Sequence, residues 1–128
     1  MPCSILCVED DLEVAELLSQ NLRPLYTRFD HVGDGQSANA AIKSKHYDLL
    51  LLDLNLPDTD GVSLCQFVRR NNNLLPIIVL TGSNSESDCT KSLESGADDF
   101  IKKPFKIEEL KARINAVLRR QILVKAPM

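Results

Sequence analysis

Five polar residues lie at comparable points of this chain, each just beyond a short apolar run. Glu9 and Asp10 follow Ser4-Ile5-Leu6-Cys7-Val8, Asp53 follows Asp48-Leu49-Leu50-Leu51-Leu52, Thr81 follows Pro76-Ile77-Ile78-Val79-Leu80, and Lys103 follows the short run Phe100 to Lys102. Each run reads as a strand, and an open parallel α/β sheet binds its ligands beyond the carboxyl ends of its strands. If the first and third strands are neighbours, Glu9, Asp10 and Asp53 converge, and each carboxylate pair repels by roughly 3–4 kcal/mol at 4–6 Å and an effective dielectric near 20. A hard divalent cation offsets this, because Mg²⁺ binds through one or two carboxylates and leaves positions for phosphoryl oxygens. Three carboxylates facing one Mg²⁺ and one Lys103 ammonium leave the site close to neutral, so it can accept an anion.

Phosphoryl transfer needs an aligned nucleophile and neutralised equatorial oxygens. On that reading Asp53 attacks through its carboxylate to give an aspartyl phosphate. Asp10 binds the metal directly, Glu9 directly or through water, and the backbone carbonyl of Asn55 reaches the same ion. Thr81 supplies a hydroxyl and Lys103 an ammonium to the phosphoryl oxygens. Each residue alone has a plainer use: an acidic pair at a helix N-terminus, a cap or turn at Asp53, a cap at Thr81, a solvated charge at Lys103. Their joint placement at four strand ends favours a shared site.

The elements that must bring these residues together alternate short apolar runs with helix-length periodic segments, the βαβ signal. Asp11 is placed to cap a helix carrying Val14, Leu17, Leu18, Leu22 and Leu25 on one side, with Pro24 kinking or ending it. Thr27 to Val32 reads as the second strand, Gly33-Asp34-Gly35 as a turn, and Gln36 to Lys45 as a helix with Ala38, Ala41 and Ile42 inward. The run at Asp48 to Leu52 is apolar on consecutive positions, which predicts a central strand covered on both faces. A third helix carries Val62, Cys65, Phe67 and Val68 and stops at Asn71-Asn72-Asn73. The fourth, about Ser85 to Ser95, has only Cys89 and Leu93 as an apolar stripe and is expected to be the most mobile. Lys106 to Arg120, with Ile107, Leu110, Ile114, Val117 and Leu118, reads as the fifth.

Composition limits what such a chain can be. At 128 residues, 44% apolar and 26% charged, it fits one domain, with a core over about residues 4–120 and residues 121–128 as a tail or the start of a linker. Lys plus Arg number 15 against 18 Asp plus Glu, a net charge of −3, which provides no basic excess for binding nucleic acid directly. Uninterrupted apolar stretches such as Leu49 to Leu52 fall far short of the roughly 20 residues of a membrane helix, and no leader pattern opens the chain. A soluble cytoplasmic protein is expected. Cys3, Cys7, Cys65 and Cys89 form no metal-ligand spacing and read as small buried hydrophobes in a reducing compartment. His31 and His46 have no partner at a motif spacing.

These residues give the chain a close resemblance to response-regulator receiver domains of two-component signalling, the chemotaxis-regulator-like superfamily. The matching segments are Ile5-Leu6-Cys7-Val8-Glu9-Asp10-Asp11, the Asp-Leu-Asn-Leu-Pro core within Asp48 to Gly61, Ile78-Val79-Leu80-Thr81-Gly82, and Gly96-Ala97-Asp98-Asp99-Phe100-Ile101-Lys102-Lys103-Pro104-Phe105. The resemblance covers Ser4 to Arg120 and implies a flavodoxin-like (βα)5 doubly wound fold, its five-stranded parallel sheet in the order 2-1-3-4-5. It implies Asp53 as phosphoacceptor, Glu9 and Asp10 as the acidic metal pair, Mg²⁺ as cofactor, Thr81 as switch hydroxyl and Lys103 as phosphoryl contact. The implied donor is a histidine kinase or histidine phosphotransfer protein, and the implied target an output domain or effector protein.

Two departures stand out. Gly82 replaces the more usual alanine, and Phe100 stands where the switch aromatic is often tyrosine; Phe100 is equally readable as a core aromatic. Phosphorylated Asp53 is expected to draw Thr81 inward and let Phe100 change rotamer, remodelling the surface of the fourth helix, fifth strand and fifth helix, through which a homodimer could also form. Asn55 and Ser83 flank the site and are placed to tune hydrolysis. On this reading the protein is a signalling phosphoacceptor, not an enzyme on other substrates. A phosphate-independent, receiver-like interaction module is the alternative, and the intact acidic set argues against it. A haloacid-dehalogenase-like phosphatase would need a second acid two residues after its nucleophile, where this chain has Asn55. No P-loop occurs.

Overall fold

The computed structural model describes residues 3–71, 74–82, 90–91 and 93–125. Five strands, β1 (Ser4–Val8), β2 (Arg28–Val32), β3 (Leu49–Asp53), β4 (Ile77–Thr81) and β5 (Asp99–Lys102), form one parallel sheet in the order β2-β1-β3-β4-β5. This is the predicted order and fold class. β3 occupies the centre, and all five of its residues are buried.

Side chains on successive strand residues point to opposite faces, and the sheet divides its apolar residues accordingly. Ile5, Cys7, Leu49, Leu51, Ile78 and Leu80 join one core, with Ala15, Leu18 and Leu22 of the first helical region and Leu110, Ile114 and Val117 of the last. Leu6, Val8, Leu50, Leu52, Ile77 and Val79 join the other, with Ala38, Leu64, Cys65 and Val68. The consecutive leucines of β3 are the sequence signature of that two-sided burial.

Four α-helices have both ends within the described residues, α1 (Leu12–Asn21), α2 (Gly35–Ser44), α3 (Gly61–Asn71) and α4 (Ile107–Lys125), and residues 90–91 and 93–94 are helical as well. Asp11 caps α1, accepting from the N–H groups of Glu13 and Val14, as its position before the apolar stripe predicts. α1 ends at Asn21, and Pro24 lies in a separate 3-10 turn, Arg23–Leu25, where its missing N–H costs no helical bond. Leu17, expected inward, is 50% exposed. The buried stripe instead runs through Ala15, Leu18 and Leu22, with Val14 and Leu25 packed at its edge; at about 100° per residue, Leu17 turns away from Leu18 toward solvent. α4 continues to Lys125, past the expected end at Arg120. Most of the fourth helix expected at Ser85 to Ser95, including Cys89, lies outside the described residues; within it, Leu93 is exposed. Cys3, Cys7 and Cys65 are buried free thiols.

One side chain closes the approach to β5. The Arg69 guanidinium donates twice to the Gly96 carbonyl, once to the Leu75 carbonyl and once to the Asp98 carboxylate, which also accepts from Ile77 N–H. Gly96 has φ +114, and an added Cβ would meet Arg69 Cγ at 2.6 Å, so the position needs glycine twice over.

Because Leu51 is buried in the central strand, Leu51→Ala is expected to cost about 2–5 kcal/mol of unfolding free energy. Leu17→Ala is expected to cost less than about 1 kcal/mol, since half of that side chain already faces solvent. Urea unfolding of both variants checks the assignment of inner and outer faces.

Candidate functional site

The predicted residues meet at the carboxyl rim of the sheet. Single carboxylate oxygens of Glu9, Asp10 and Asp53 lie within 4.8 Å of one another, with Glu9 and Asp53 buried and Asp10 exposed. β1 and β3 are adjacent in register, Val8 against Leu52, which delivers Glu9 and Asp53 to the same end. β4 places Thr81, fully buried, one strand further along.

Lys103 completes the cluster. Its Nζ donates to Glu9 Oε1 at 2.9 Å and lies 3.5 Å from Asp53 Oδ2. Its backbone N–H donates to the Thr81 carbonyl at 2.7 Å, so the main chain that carries the ammonium is fixed to the end of β4. A cis peptide joins Lys103 to Pro104. Asp53 Oδ1 accepts the backbone N–H of Asn55 at 3.0 Å, which holds the carboxylate and the following loop together.

Glu9 is 1% exposed. Burial, with the neighbouring Asp53 second, lifts its carboxyl from the ordinary 4.5 to about 7, against the opposing pull of Lys103. The same two carboxylates raise the Lys103 ammonium pKa, outweighing the effect of its own burial. Glu9 Oε2 is buried and has no hydrogen-bond partner among the described residues. A buried acceptor left without a donor costs about 1–3 kcal/mol, and a divalent cation is the kind of group that would satisfy it. The donor set is all oxygen and partly open at Asp10, which fits Mg²⁺ rather than a softer metal.

A family model, "Response regulator receiver domain", matches residues 5–115. The chain belongs to that family. The receiver domain is 44% identical over 119 residues to the transcriptional regulatory protein GltR of Pseudomonas aeruginosa, covering 91% of this chain and 49% of that protein. It is 44% identical over 116 residues to the DNA-binding response regulator MtrA of Mycobacterium tuberculosis, covering 91% and 50%. The chain thus spans about half the length of these curated relatives. Among solved structures, a putative response regulator from Chloroflexus aurantiacus superposes with a TM-score of 0.88 at 36% identity, covering 94% of this receiver domain and all of that chain.

Phe100 packs, partly buried, against the core on the α2 and α3 side of the sheet, opposite Val79 in register. It is a packed aromatic at the place expected of the switch residue. Ser83 lies outside the described residues. Contacts not anticipated from sequence also shape the receiver site. His31 Nε2 lies 2.6 Å from the Glu9 carbonyl oxygen, and Glu9 N–H donates to the Val32 carbonyl. Asp58 bonds the first turn of α2. No local sequence pattern says which distant N–H groups a loop carboxylate such as Asp58 will find.

The pH dependence follows from Glu9. Its folded carboxyl holds a proton between about 4.5 and 7 that the unfolded chain releases, so the folded state binds more protons in that window and stability falls as pH rises through it. Metal-free protein is expected to lose thermal stability from this group between those values, and Glu9→Gln is expected to flatten that part of the profile. An unchanged slope in the variant would assign the dependence elsewhere.

Proposed function

We propose that this receiver domain takes a phosphoryl group from a phosphohistidine donor onto Asp53. The observation that carries the reading is the convergence of Glu9, Asp10 and Asp53 around an acceptor carboxylate that already sits beside Lys103. Glu9 and Asp10 would hold Mg²⁺ together with Asp53 and the Asn55 backbone carbonyl. When bound, the ion neutralises carboxylate charge and phosphoryl oxygens in transfer.

The chain's own groups supply the rest. Asp53 provides the nucleophilic oxygen: its bond to phosphorus forms as the phosphorus–nitrogen bond of the donor breaks. Lys103, already held by Glu9 at 2.9 Å, turns its charge to the incoming oxygens. Thr81 supplies a hydroxyl at the end of β4 and responds to the new charge by moving inward, while Phe100 takes up the vacated space. β5, α4 and the segment Ser85 to Ser95 then present an altered surface to an output domain or effector protein, or to a second copy of the chain. The Asp99–Arg113 pair, with contacts of 3.0 and 3.1 Å, ties β5 to α4 within that surface.

The protein acts as a signalling phosphoacceptor that catalyses only its own phosphorylation and dephosphorylation. Its partners are a histidine kinase or histidine phosphotransfer protein in a cytoplasmic phosphorelay. GltR and MtrA are named as a transcriptional regulator and a DNA-binding regulator; by analogy an output domain reads the state of this one, without direct nucleic-acid contact by the receiver. Among the described residues, no helix is long and apolar enough to cross a membrane.

Incubation with acetyl phosphate and Mg²⁺, followed by intact-mass analysis, is expected to add one phosphoryl group to the natural protein and none to Asp53→Ala. Removal of the metal with a chelator is expected to stop the reaction. Labelling that survives the substitution would place the acceptor elsewhere.

A further inference from the structure

The loop between β3 and α3 carries Asn55, and its base is closed by its own residues. Asn55 and Asp60 form an isolated antiparallel bridge, Gly61 N–H donates to the Leu54 carbonyl at 3.0 Å, and Asp60 Oδ1 accepts Ser63 N–H at 2.7 Å at the start of α3. The tip is held from outside. Asp58 Oδ1 accepts Gly35 N–H at 2.7 Å, and its Oδ2 accepts Gln36 N–H at 3.0 Å.

Those two donors belong to the first turn of α2, where no intrahelical acceptor exists for them. Asp34 takes the third, Ser37 N–H, at 2.7 Å. Two carboxylates from different parts of the chain therefore cap one helix, and the backbone bonds hold the Asp58 carboxyl below its ordinary pKa. The approach is close: a Cβ on Gly35 would collide with Thr59 Cγ2 and lie 3.2 Å from Asp58 Oδ1. Gly35 is what lets the loop tip reach the helix.

The same end of β2 also fixes the other acidic loop. Glu9 N–H donates to the Val32 carbonyl, and the Glu9 carbonyl oxygen lies 2.6 Å from His31 Nε2. Residues 31–36 thus hold both Glu9 and, through Asp58, the segment that carries Asn55.

We propose that Asp58 is a positioning residue for the cation site: its paired bonds to the α2 N-terminus set the β3–α3 loop so that the Asn55 carbonyl is presented to the ion held by Asp10 and Asp53. This rests on the reading of that cluster as a Mg²⁺ site, and the test separates the two. Calorimetric titration with MgCl₂ and thermal unfolding are run on the natural protein, Asp58→Ala, Asp58→Asn and Gly35→Ala.

Folded Asp58→Ala is expected to bind Mg²⁺ about tenfold more weakly, the scale on which residues that orient metal ligands act. Asp58→Asn, which keeps an acceptor oxygen, is expected to recover part of that loss. Gly35→Ala, which pushes the tip away with Asp58 intact, is expected to weaken binding in the same direction. If Asp58→Ala lowers stability while the folded fraction binds Mg²⁺ as the natural protein does, Asp58 is only a helix cap and the inference is overturned. Should Asp58→Ala not fold, natural affinity in both Asp58→Asn and Gly35→Ala overturns it equally. No Mg²⁺ binding by the natural protein overturns the cation-site reading itself.

Discussion

Glu9 and Asp53 are buried carboxylates that would repel each other, and the Lys103 ammonium bridges them at 2.9 and 3.5 Å. Removing charges from water costs several kcal/mol per ion even after relaxation, so this arrangement persists only if the fold brings the lysine to the carboxylates. The parallel sheet does this. β1, β3 and β5 run the same way, and the residues just beyond them lie at one rim although Glu9 and Lys103 are 94 positions apart. An antiparallel neighbour would have sent one of these ends to the opposite rim. Among the described residues Glu9 Oε2 has no hydrogen-bond partner, so Lys103 alone does not satisfy the cluster, and this supports the cation site proposed above.

The rigidity of the site comes from the layers beneath it. The four leucines of β3, all 0% exposed, separate two apolar cores, so Asp53 stands at the end of a strand packed on both faces. Asp10 differs: it is the first exposed residue after β1. One exposed carboxylate beside two buried ones suits the site proposed above, which would have to admit an ion and a phosphoryl donor while keeping its nucleophile in place.

Much of this was legible in the sequence because it depended on periodicity. The unbroken Leu49 to Leu52 run specified a central strand, and alternation with helical segments specified parallel connections, which together placed Glu9, Asp10, Asp53, Thr81 and Lys103 at one edge. Strand order came from the family resemblance, since hydrophobic pattern does not say which strands pair. Leu17 was misplaced because a leucine one position from the buried stripe counts as apolar whether or not it faces inward. Asp58, His31 and Arg69 were silent for a different reason. Their partners are backbone N–H and carbonyl groups, at Gly35 and Gln36, at Glu9, and at Gly96 and Leu75. Backbone groups are the same at every non-proline residue, so no side-chain motif marks them.

The route from the proposed acceptor to the surface is short and made largely of main chain. Thr81 stands opposite Lys102 in the β4–β5 register, and the next residue, Lys103, bonds the Thr81 carbonyl. A displacement of Thr81 is therefore felt directly by β5, the edge strand of the sheet. At its start β5 carries Asp99, which holds Arg113 of α4 through both carboxylate oxygens, and Arg69 fixes the chain just before it at Gly96 and Asp98. Anchored at Gly96 and pulled at Lys103, β5 has little freedom to absorb a change by fraying. Phe100, on the α2 and α3 side, and the Asp99–Arg113 pair, on the α4 side, lie on opposite faces of β5, so a movement of this strand reaches both layers, and on the reading proposed above β5 and α4 are the surface through which chemistry at Asp53 is read by another protein.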